Sequence, residues 1–177
     1  RTVATLPPGE KHGLLLKEAT ERALDRFDRI RWAGGRTGAA MIRLGMQMVM
    51  QKHCAVFRDG PSLAEGATRL AEIARMLRED LGVTDRSMIF NTDLVETLEL
   101  DNMMAQAIVS LHSAIARTES RGSHARDDFP KRDDKDWLKH TYAWLDSDGL
   151  VRIDHRPVHL QPLTNDVASI PPKERVY

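Results

Sequence analysis

Apolar residues recur every three or four positions between residues 91 and 116, and no glycine or proline interrupts them. This spacing predicts a single amphipathic helix, for which Asn91 is a suitable N-cap. At 1.5 Å per residue the helix is roughly 39 Å long, so it needs other helices packed along its length. The residues expected on its inward face are Leu94, Leu98, Met104, Ile108, Leu111 and Ile115.

Three earlier stretches show the same helical spacing and supply those partners. They cover residues 13–31, 37–56 and 61–81, with Thr37 as the expected N-cap of the second. Pro61 suits the first turn of the third helix, and Gly82 is expected in the left-handed cap that often ends a helix. The residues expected on the packed faces are Leu16, Ala19, Ala23, Leu24, Phe27 and Ile30 in the first, Ile42, Met46, Val49, Met50 and His53 in the second, and Leu63, Ala67, Leu70, Ile73, Ala74, Leu77 and Leu81 in the third.

The second predicted helix is rich in methionine, at Met41, Met46, Met48 and Met50. Flexible methionine side chains are typical either of cores, where they fill gaps, or of adaptable docking grooves. We expect these residues to fill gaps in the core of the bundle.

Helical spacing ends near residue 117. Residues 117–140, which we call the signature loop, are dense in charged, aromatic and imidazole side chains. The charges are of both signs, so the loop can pair its own charges. Residues 141–145 and 150–153 read as strands, and the Asp148-Gly149 step between them is a strong hairpin signal. A further extended piece, residues 156–160, leads into a proline-containing tail.

These elements predict a mainly α fold. It consists of an antiparallel three-helix bundle, similar to a spectrin repeat, preceded by a shorter helix and followed by a small β-hairpin appendage and an extended tail. We expect a connector and first helix in residues 1–35, the bundle in residues 36–117, and the signature loop, hairpin and tail in residues 118–177.

The chain carries 26 basic and 26 acidic residues. This balance gives no electrostatic reason to expect a nucleic-acid partner, which normally requires a basic excess. The single cysteine, Cys54, excludes an internal disulfide framework and suits a reducing compartment. No apolar run approaches the length of a membrane span. Cys54 follows His53, but neighbours on a helix point about 100° apart, so we expect a buried thiol rather than a nucleophile.

A metal site is not expected. His155 and His159 are four residues apart, which would place them together on a helix. They lie in an extended region with Pro157, where that separation is roughly 13 Å. The chain also has no glycine-rich phosphate loop and no G-x-G-x-x-G dinucleotide motif.

Four pieces of the sequence resemble one family. The signature loop is similar to the pattern E-S-R-G-A-H-x-R-x-D-F/Y-P-x-R-D-D-x-x-W-x-x-H-T of the flavoprotein subunits of succinate dehydrogenase and fumarate reductase, and departs from it at Ser123, where alanine is usual. Residues 46–58 resemble the M-Q-x-x-M-Q-x-H-x-x-V-F-R element, residues 91–102 the start of the long bundle helix, and residues 171–177 the closing P-P-x-x-R-x-Y. The resemblance covers about residues 36–177.

The resemblance implies that the chain is the C-terminal helical domain of a larger protein. FAD, commonly attached through a covalent histidyl bond, is held by an upstream domain, where succinate is oxidised to fumarate by hydride transfer. Electrons then pass to an iron-sulfur subunit and to quinone. The expected partners are the upstream FAD-binding and capping domains, the iron-sulfur subunit and, indirectly, membrane anchor subunits. The expected location is peripheral, on the cytoplasmic side of a bacterial inner membrane or the matrix side of the mitochondrial one.

The resemblance places no catalytic residue in this chain. It implies an indirect role for Arg121 and Arg175, in flavin attachment or in docking against the flavin domain, because guanidinium groups near the flavin would stabilise negative charge on it. We expect His124 to share this indirect role. His124 is expected to orient a carboxylate such as Asp128, and Gly122 to permit close backbone approach. Pure ion pairing at the domain interface is the alternative role for both arginines. We expect Arg132, Asp133 and Asp134 to pair structurally and Trp137 to pack as an anchor.

Alternative interpretations are the C-terminal domain of fumarate reductase or of L-aspartate oxidase, and a free-standing helical interaction module without a redox role. The isolated chain is not expected to bind FAD or to oxidise succinate. Its exposed docking face is expected to favour self-association.

Overall fold

The computed structural model describes residues 9, 13–14 and 16–173, and these are mainly helical. The four helices are α1 (Lys17–Arg31), α2 (Ala39–His53), α3 (Gly60–Glu79) and α4 (Thr92–Ala116). The strands are β1 (Thr37–Gly38), β2 (Phe57–Arg58), β3 (Leu81–Gly82), β4 (Ala125–Arg126), β5 (Lys139–Leu145) and β6 (Val151–Pro157). The predicted helical bundle with a small β-hairpin is confirmed. No helix among the described residues is long and apolar enough to cross a membrane.

Two short parallel pairings fix how the helices run. β1 pairs with β3, so the start of α2 lies beside the end of α3. β2 pairs with β4, so the connection between α2 and α3 lies beside the segment that follows α4. α3 therefore runs antiparallel to both α2 and α4, and the end of α4 meets the start of α3.

The core lies between α2, α3 and α4, which all contact one another. Aliphatic side chains from all three helices and from β3 fill it, and α1 adds the buried Ile30 from outside. The main core residues are Ile42, Met46, Leu70, Leu77, Leu81, Leu100, Met104 and Leu111.

The inward face of α4 is rotated slightly from the one that the leucine and isoleucine spacing predicts. Leu94, Met104 and Leu111 are buried as expected, whereas Leu98, Ile108 and Ile115 are half-buried. Leu100 and the smaller residues Thr97, Ala107 and Ala114 occupy the buried face instead. Small side chains allow close packing where α4 is surrounded by two helices, and the larger ones cover the edges of the core.

The expected caps are confirmed at α4 and wrong at α2 and α3. Asn91 Oδ1 accepts from Leu94 N at 2.8 Å, as predicted. Gly38, not Thr37, is the N-cap of α2, because Thr37 Oγ1 donates to Asp80 Oδ2. α3 ends at Glu79 with Asp80 as its C-cap, and Gly82 is paired in β3 rather than in a left-handed turn.

The methionines of α2 divide between the core and the surface. Met46 is buried, and Met50 packs half-buried against the core. Met41 and Met48 are mainly exposed, so the expectation that all four fill the core is wrong. The reason is geometric, because a helix in a three-helix bundle buries only one side. At the spacing of these four methionines, Met46 and Met50 lie on that side and Met41 and Met48 lie on the opposite one.

The hairpin forms where the Asp-Gly step predicts it. β5 and β6 are antiparallel, with Leu145 opposite Val151, and Gly149 has a positive φ of 83° in the turn. β6 continues to Pro157, so the predicted separate piece over residues 156–160 begins as part of this strand. The hairpin packs against α4.

Gly82 provides a test of the β1–β3 junction. A Cβ atom at residue 82 would lie 2.3 Å from the carbonyl oxygen of Gly35, and backbone cannot move aside as a side chain can. We expect Gly82→Ala to lower the free energy of unfolding by about 2 kcal/mol, measured by urea denaturation. Gly38→Ala is the control, because a Cβ atom there meets nothing within 4 Å. Equal losses in the two variants would contradict the close packing of this junction.

Candidate functional site

The signature loop is organised around the buried carboxylate of Glu119, whose side chain is 0% exposed. Arg117 Nε and Arg121 Nε both donate to Glu119 Oε1, at 2.9 and 2.8 Å. Arg121 Nη2 and the backbone N–H of Asp133 donate to the other oxygen, Oε2. Arg121 also pairs with Asp134 at 2.7 Å. We call Arg117, Glu119, Arg121, Asp133 and Asp134 the Glu119 cluster.

A second ion pair, in which the arginine is buried and the aspartate exposed, joins the loop to α4. Arg126 is 3% exposed and holds Asp128 through two parallel hydrogen bonds of 2.7 Å. Its Nη1 donates to the carbonyl oxygen of Ala114 at 2.9 Å, and so supplies a hydrogen bond to a carbonyl group that the end of α4 leaves unpaired. The bonds from Arg126 and Gly60 N lower the pKa of Asp128 to about 2.

His124 links the loop to the α2–α3 connection. Arg58 Nη1 lies 2.8 Å from His124 Nδ1, and since an arginine can only donate, Nδ1 accepts. His124 Nε2 then donates to the carbonyl oxygen of Arg117 at 3.0 Å. Burial lowers the pKa of His124, and the nearby charge of Arg58 lowers it further. The prediction that His124 orients Asp128 is wrong, because Asp128 is held by Arg126 and Gly60.

Gly122 stands in a tight turn between Arg121 and His124, whose backbone groups bond each other in both directions. Its φ of 60° is one that glycine adopts easily, and a Cβ atom there would meet nothing within 4 Å. Glycine is therefore used for its conformation, and no close approach within the described part of the chain requires it.

A groove of about 830 Å³ opens beside the Glu119 cluster, between α4, the signature loop, the hairpin and the tail. Arg58, Arg117, Arg121 and Lys139 contribute positive charge to its wall, and the side chains of His124 and His140 also line it. Among the described residues, no aspartate or glutamate lines it. We call this feature the cationic groove, and its charge suits an anionic group or surface.

Arg121, one of the predicted site residues, lies both in the Glu119 cluster and in the wall of the groove. Its side chain is 26% exposed, and its bonds to Glu119 raise its pKa above the usual value. His124 lies beside it, also in the wall. Arg175 falls outside the described residues. No functional role was predicted for two residues of the groove wall, Arg58 and Arg117, although Arg58 ends the M-Q-x-x-M-Q-x-H-x-x-V-F-R element.

Other side chains of the loop have the structural roles that were expected. Arg132 pairs with Asp134 at 2.8 Å. The Trp137 indole N–H donates to Thr118 Oγ1, and Arg117 and Lys139 lie over its ring, so it packs as an anchor.

The remaining reactive side chains are placed in structural surroundings. Burial raises the pKa of Cys54, which is half-buried, and so keeps the thiol protonated. His53 is buried, with Nδ1 3.1 Å from Ser62 Oγ. Within the described ranges, no group of three or more histidine, cysteine or acidic side chains is arranged to hold a metal ion.

Comparison with known proteins gives a consistent set of relatives. Residues 43–177 match the family described as fumarate reductase flavoprotein C-term. The chain is 46% identical over 172 residues to the succinate dehydrogenase flavoprotein subunit of Rickettsia conorii, which covers 97% of this chain and 29% of that protein. The chain is also 46% identical over 177 residues to the mitochondrial succinate dehydrogenase flavoprotein subunit of Oryza sativa, and the match covers 100% of this chain and 28% of that protein. The fumarate reductase flavoprotein subunit of Mycobacterium tuberculosis is 40% identical over 141 residues, covering 78% and 22%.

Solved structures show the same similarity. A structure of E. coli quinol fumarate reductase superimposes with a TM-score of 0.82 at 31% identity, covering 97% of this chain and 28% of that one. A quinol-fumarate reductase with menaquinol molecules gives 0.79 at 31% identity, covering 89% and 28%. The chain thus spans less than a third of the length of the relatives it matches.

Replacing the buried carboxylate tests the Glu119 cluster. Glu119→Gln keeps the size of the side chain but leaves two guanidinium groups without their shared counter-charge. We expect the free energy of unfolding to fall by about 3 kcal/mol, measured by urea denaturation. Glu65→Gln removes an exposed pair with Arg69 and should cost far less stability, because solvent screens such a pair. If both variants lose the same stability, the cluster does not hold the loop together.

The lowered pKa of His124 predicts a specific dependence of stability on pH. The unfolded chain takes up a proton near pH 6.5, before the folded chain does, so stability is complete above that pH and falls as the pH drops toward the folded pKa. We expect the unfolding free energy to decrease from pH 7 to pH 5, and to decrease less in His124→Asn, which keeps an acceptor for Arg58 but does not titrate in this range. Identical pH slopes for the two proteins would contradict this assignment.

Proposed function

Because the chain belongs to the flavoprotein family of succinate dehydrogenase and fumarate reductase, we propose that it is the C-terminal helical domain of a longer flavoprotein that oxidises succinate to fumarate. The succinate dehydrogenase subunits match 96–100% of this chain at 40–47% identity, against 78% of it at 40% for a fumarate reductase subunit, and this supports oxidation as the direction. In this proposal, FAD is covalently bound by the upstream part of the polypeptide, and electrons pass to an iron-sulfur subunit and then to quinone. The assembly is held peripherally, through membrane anchor subunits, on the cytoplasmic or matrix side.

The cationic groove is the observation that carries a role for this chain. Bound FAD supplies the hydride acceptor, and the flavin ring gains negative charge when it is reduced or covalently attached. The wall of the groove fits such a neighbour, because it combines four cationic side chains with no described carboxylate. We propose that this face docks against the flavin domain and stabilises negative charge there.

We propose that Arg121 acts through its charge rather than through a direct hydrogen bond to the flavin. Two of its nitrogens, Nε and Nη2, are occupied by Glu119, Asp134 and the carbonyl oxygen of Asp133. These bonds fix the guanidinium group in the wall of the groove, so it is a positioned charge that needs no rearrangement when the domains meet. His124 and Arg58 keep the same wall in place from the α2–α3 side.

A related role is proposed for Arg175, from its place in the P-P-x-x-R-x-Y ending. The described part of the tail returns to the signature loop, where Arg132 Nη1 donates to the carbonyl oxygen of Lys173 at 2.6 Å. Pro172 lines the cationic groove. The described chain therefore reaches this groove at Pro172, within the same P-P-x-x-R-x-Y ending to which Arg175 belongs.

Fumarate reduction is the second candidate, because both solved structures at 31% identity are quinol fumarate reductases. The same domain would serve either direction, since docking and charge stabilisation do not depend on which way the hydride moves. The ratio of succinate oxidation to fumarate reduction by the full-length protein, measured with dyes of low and high potential, distinguishes the two.

Substitution of Arg121 in the full-length flavoprotein tests the proposal. We expect Arg121→Ala to lower covalent flavin about tenfold or more, followed by in-gel fluorescence, and to lower succinate oxidation in parallel. Arg121→Lys keeps the charge but loses the planar two-nitrogen contact, so it should retain an intermediate amount. The isolated chain should bind no FAD.

Arg43→Ala is the matched control, because Arg43 is exposed to a similar degree and pairs with Glu99, but lies on α2 and does not line the groove. Its covalent flavin should stay at the wild-type level. If both alanine variants lose flavin only in proportion to their thermal stability, Arg121 has a purely structural role. If the wild-type full-length protein carries no flavin, the proposed function itself is wrong.

A further inference from the structure

Only the second half of α1 is covered by the bundle. Ile30 is buried, Phe27 is half-buried, and Arg26 pairs with Asp101 of α4 at 2.6 Å. Leu16, Ala19 and Ala23 share the helix face of Ile30 by their spacing, yet all three are exposed. The apolar stripe of α1 therefore continues beyond the part that the described residues cover.

The loop before α4 presents apolar side chains next to the same stripe. Met88, Ile89 and Phe90 are all mainly exposed, and Phe90 reaches 99%. Phe27 of α1 lines a cavity of about 550 Å³ together with Met88 and Phe90. The stripe and the loop are thus continuous, and we call them together the α1–Phe90 surface.

This exposure is not the result of a loosely held loop. The buried Asn91 amide donates to the carbonyl oxygens of Asp85 and Ser87, at 2.6 and 3.0 Å. The Asp93 carboxylate accepts from the backbone N–H groups of Thr84 and Asp85.

Phe90 itself has a φ of 51°, which is strained for a large side chain. A fixed, strained loop that holds an aromatic ring in solvent is typical of a preorganised binding anchor. Such an anchor loses little conformational entropy when a partner covers it.

Charge near the surface indicates what kind of partner fits it. Trp32 lies at the end of α1, with Arg31 and Arg86 over its ring. Arg31 Nε also donates to the carbonyl oxygen of Arg86, which joins this corner to the loop. Neither arginine forms an ion pair with any described residue. A matching surface is therefore apolar, with carboxylates at its rim.

We propose that the α1–Phe90 surface docks the part of the polypeptide that precedes this chain in the full-length flavoprotein. The inference rests on the proposed function. The matched relatives are more than three times as long as this chain, and a segment attached ahead of α1 reaches the surface at high effective concentration. The docking surface is separate from the cationic groove, because they have no lining residue in common.

Hydrogen exchange followed by mass spectrometry tests the proposal. The full-length flavoprotein and the 177-residue chain are compared at the amides of residues 17–27 and 84–91. We expect exchange at least tenfold slower in the full-length protein, and we expect Phe90→Asn to remove most of that protection. Asparagine accepts the left-handed conformation and residue 90 is exposed, so the variant should fold normally. Urea denaturation of the variant checks this.

Met48→Asn is the matched control, since Met48 is also exposed but lies on α2. Retained protection in this variant, together with its loss in Phe90→Asn, supports the proposal. Equal exchange in the full-length protein and the isolated chain overturns it. Protection that appears in the isolated chain, falls on dilution and accompanies a dimer in sedimentation velocity also overturns it, because a second copy then occupies the surface.

The two proposals fail in different ways. A full-length protein that carries covalent flavin and oxidises succinate, but whose α1 exchanges as fast as in the isolated chain, refutes only the docking surface. A full-length protein without flavin refutes the proposed function, whatever its exchange pattern.

Discussion

The burial of Glu119 between Arg117 and Arg121 is the interaction on which the signature loop depends. A carboxylate without solvent contact is tolerated because two guanidinium groups and one backbone N–H surround it. Each partner comes from a different turn of the loop, so the carboxylate fixes the path of the chain from the end of α4 to residue 134. The groove, with its surplus of positive charge, follows from that path.

Sequence periodicity predicted the helices and the hairpin because both are encoded by neighbours along the chain. The caps at Thr37 and Gly82 were wrong because the side chain of Thr37 and the backbone of Gly82 are used by long-range partners, Asp80 and Gly38. A local pattern cannot show that α2 begins beside the end of α3. The rotated face of α4 has a similar cause, since burial of Thr97 and Ala107 is decided by how closely the other helices approach.

The motif located the candidate site in the sequence, but it did not show which residues the site residues contact. The loop that resembles the family was identified, and Arg121 and His124 do line one groove. The partner of His124 was misassigned, because Asp128 is four residues away whereas Arg58 is 66 residues away. The net charge of zero also gave no indication of a cationic groove. Acidic and basic residues are equal in number, yet the fold places them unequally, turning carboxylates such as Glu119 inward and leaving cations at the wall.

The β2–β4 pairing joins two segments that lie far apart in the sequence. It joins the α2–α3 connection to the segment after α4, and this contact closes a long loop that is unfavourable until the helices have packed. The same pairing places Arg58 against His124. A chain whose bundle is incomplete therefore has no finished groove to offer. The groove, and with it any surface that it offers to a partner, is therefore complete only when this pairing has formed.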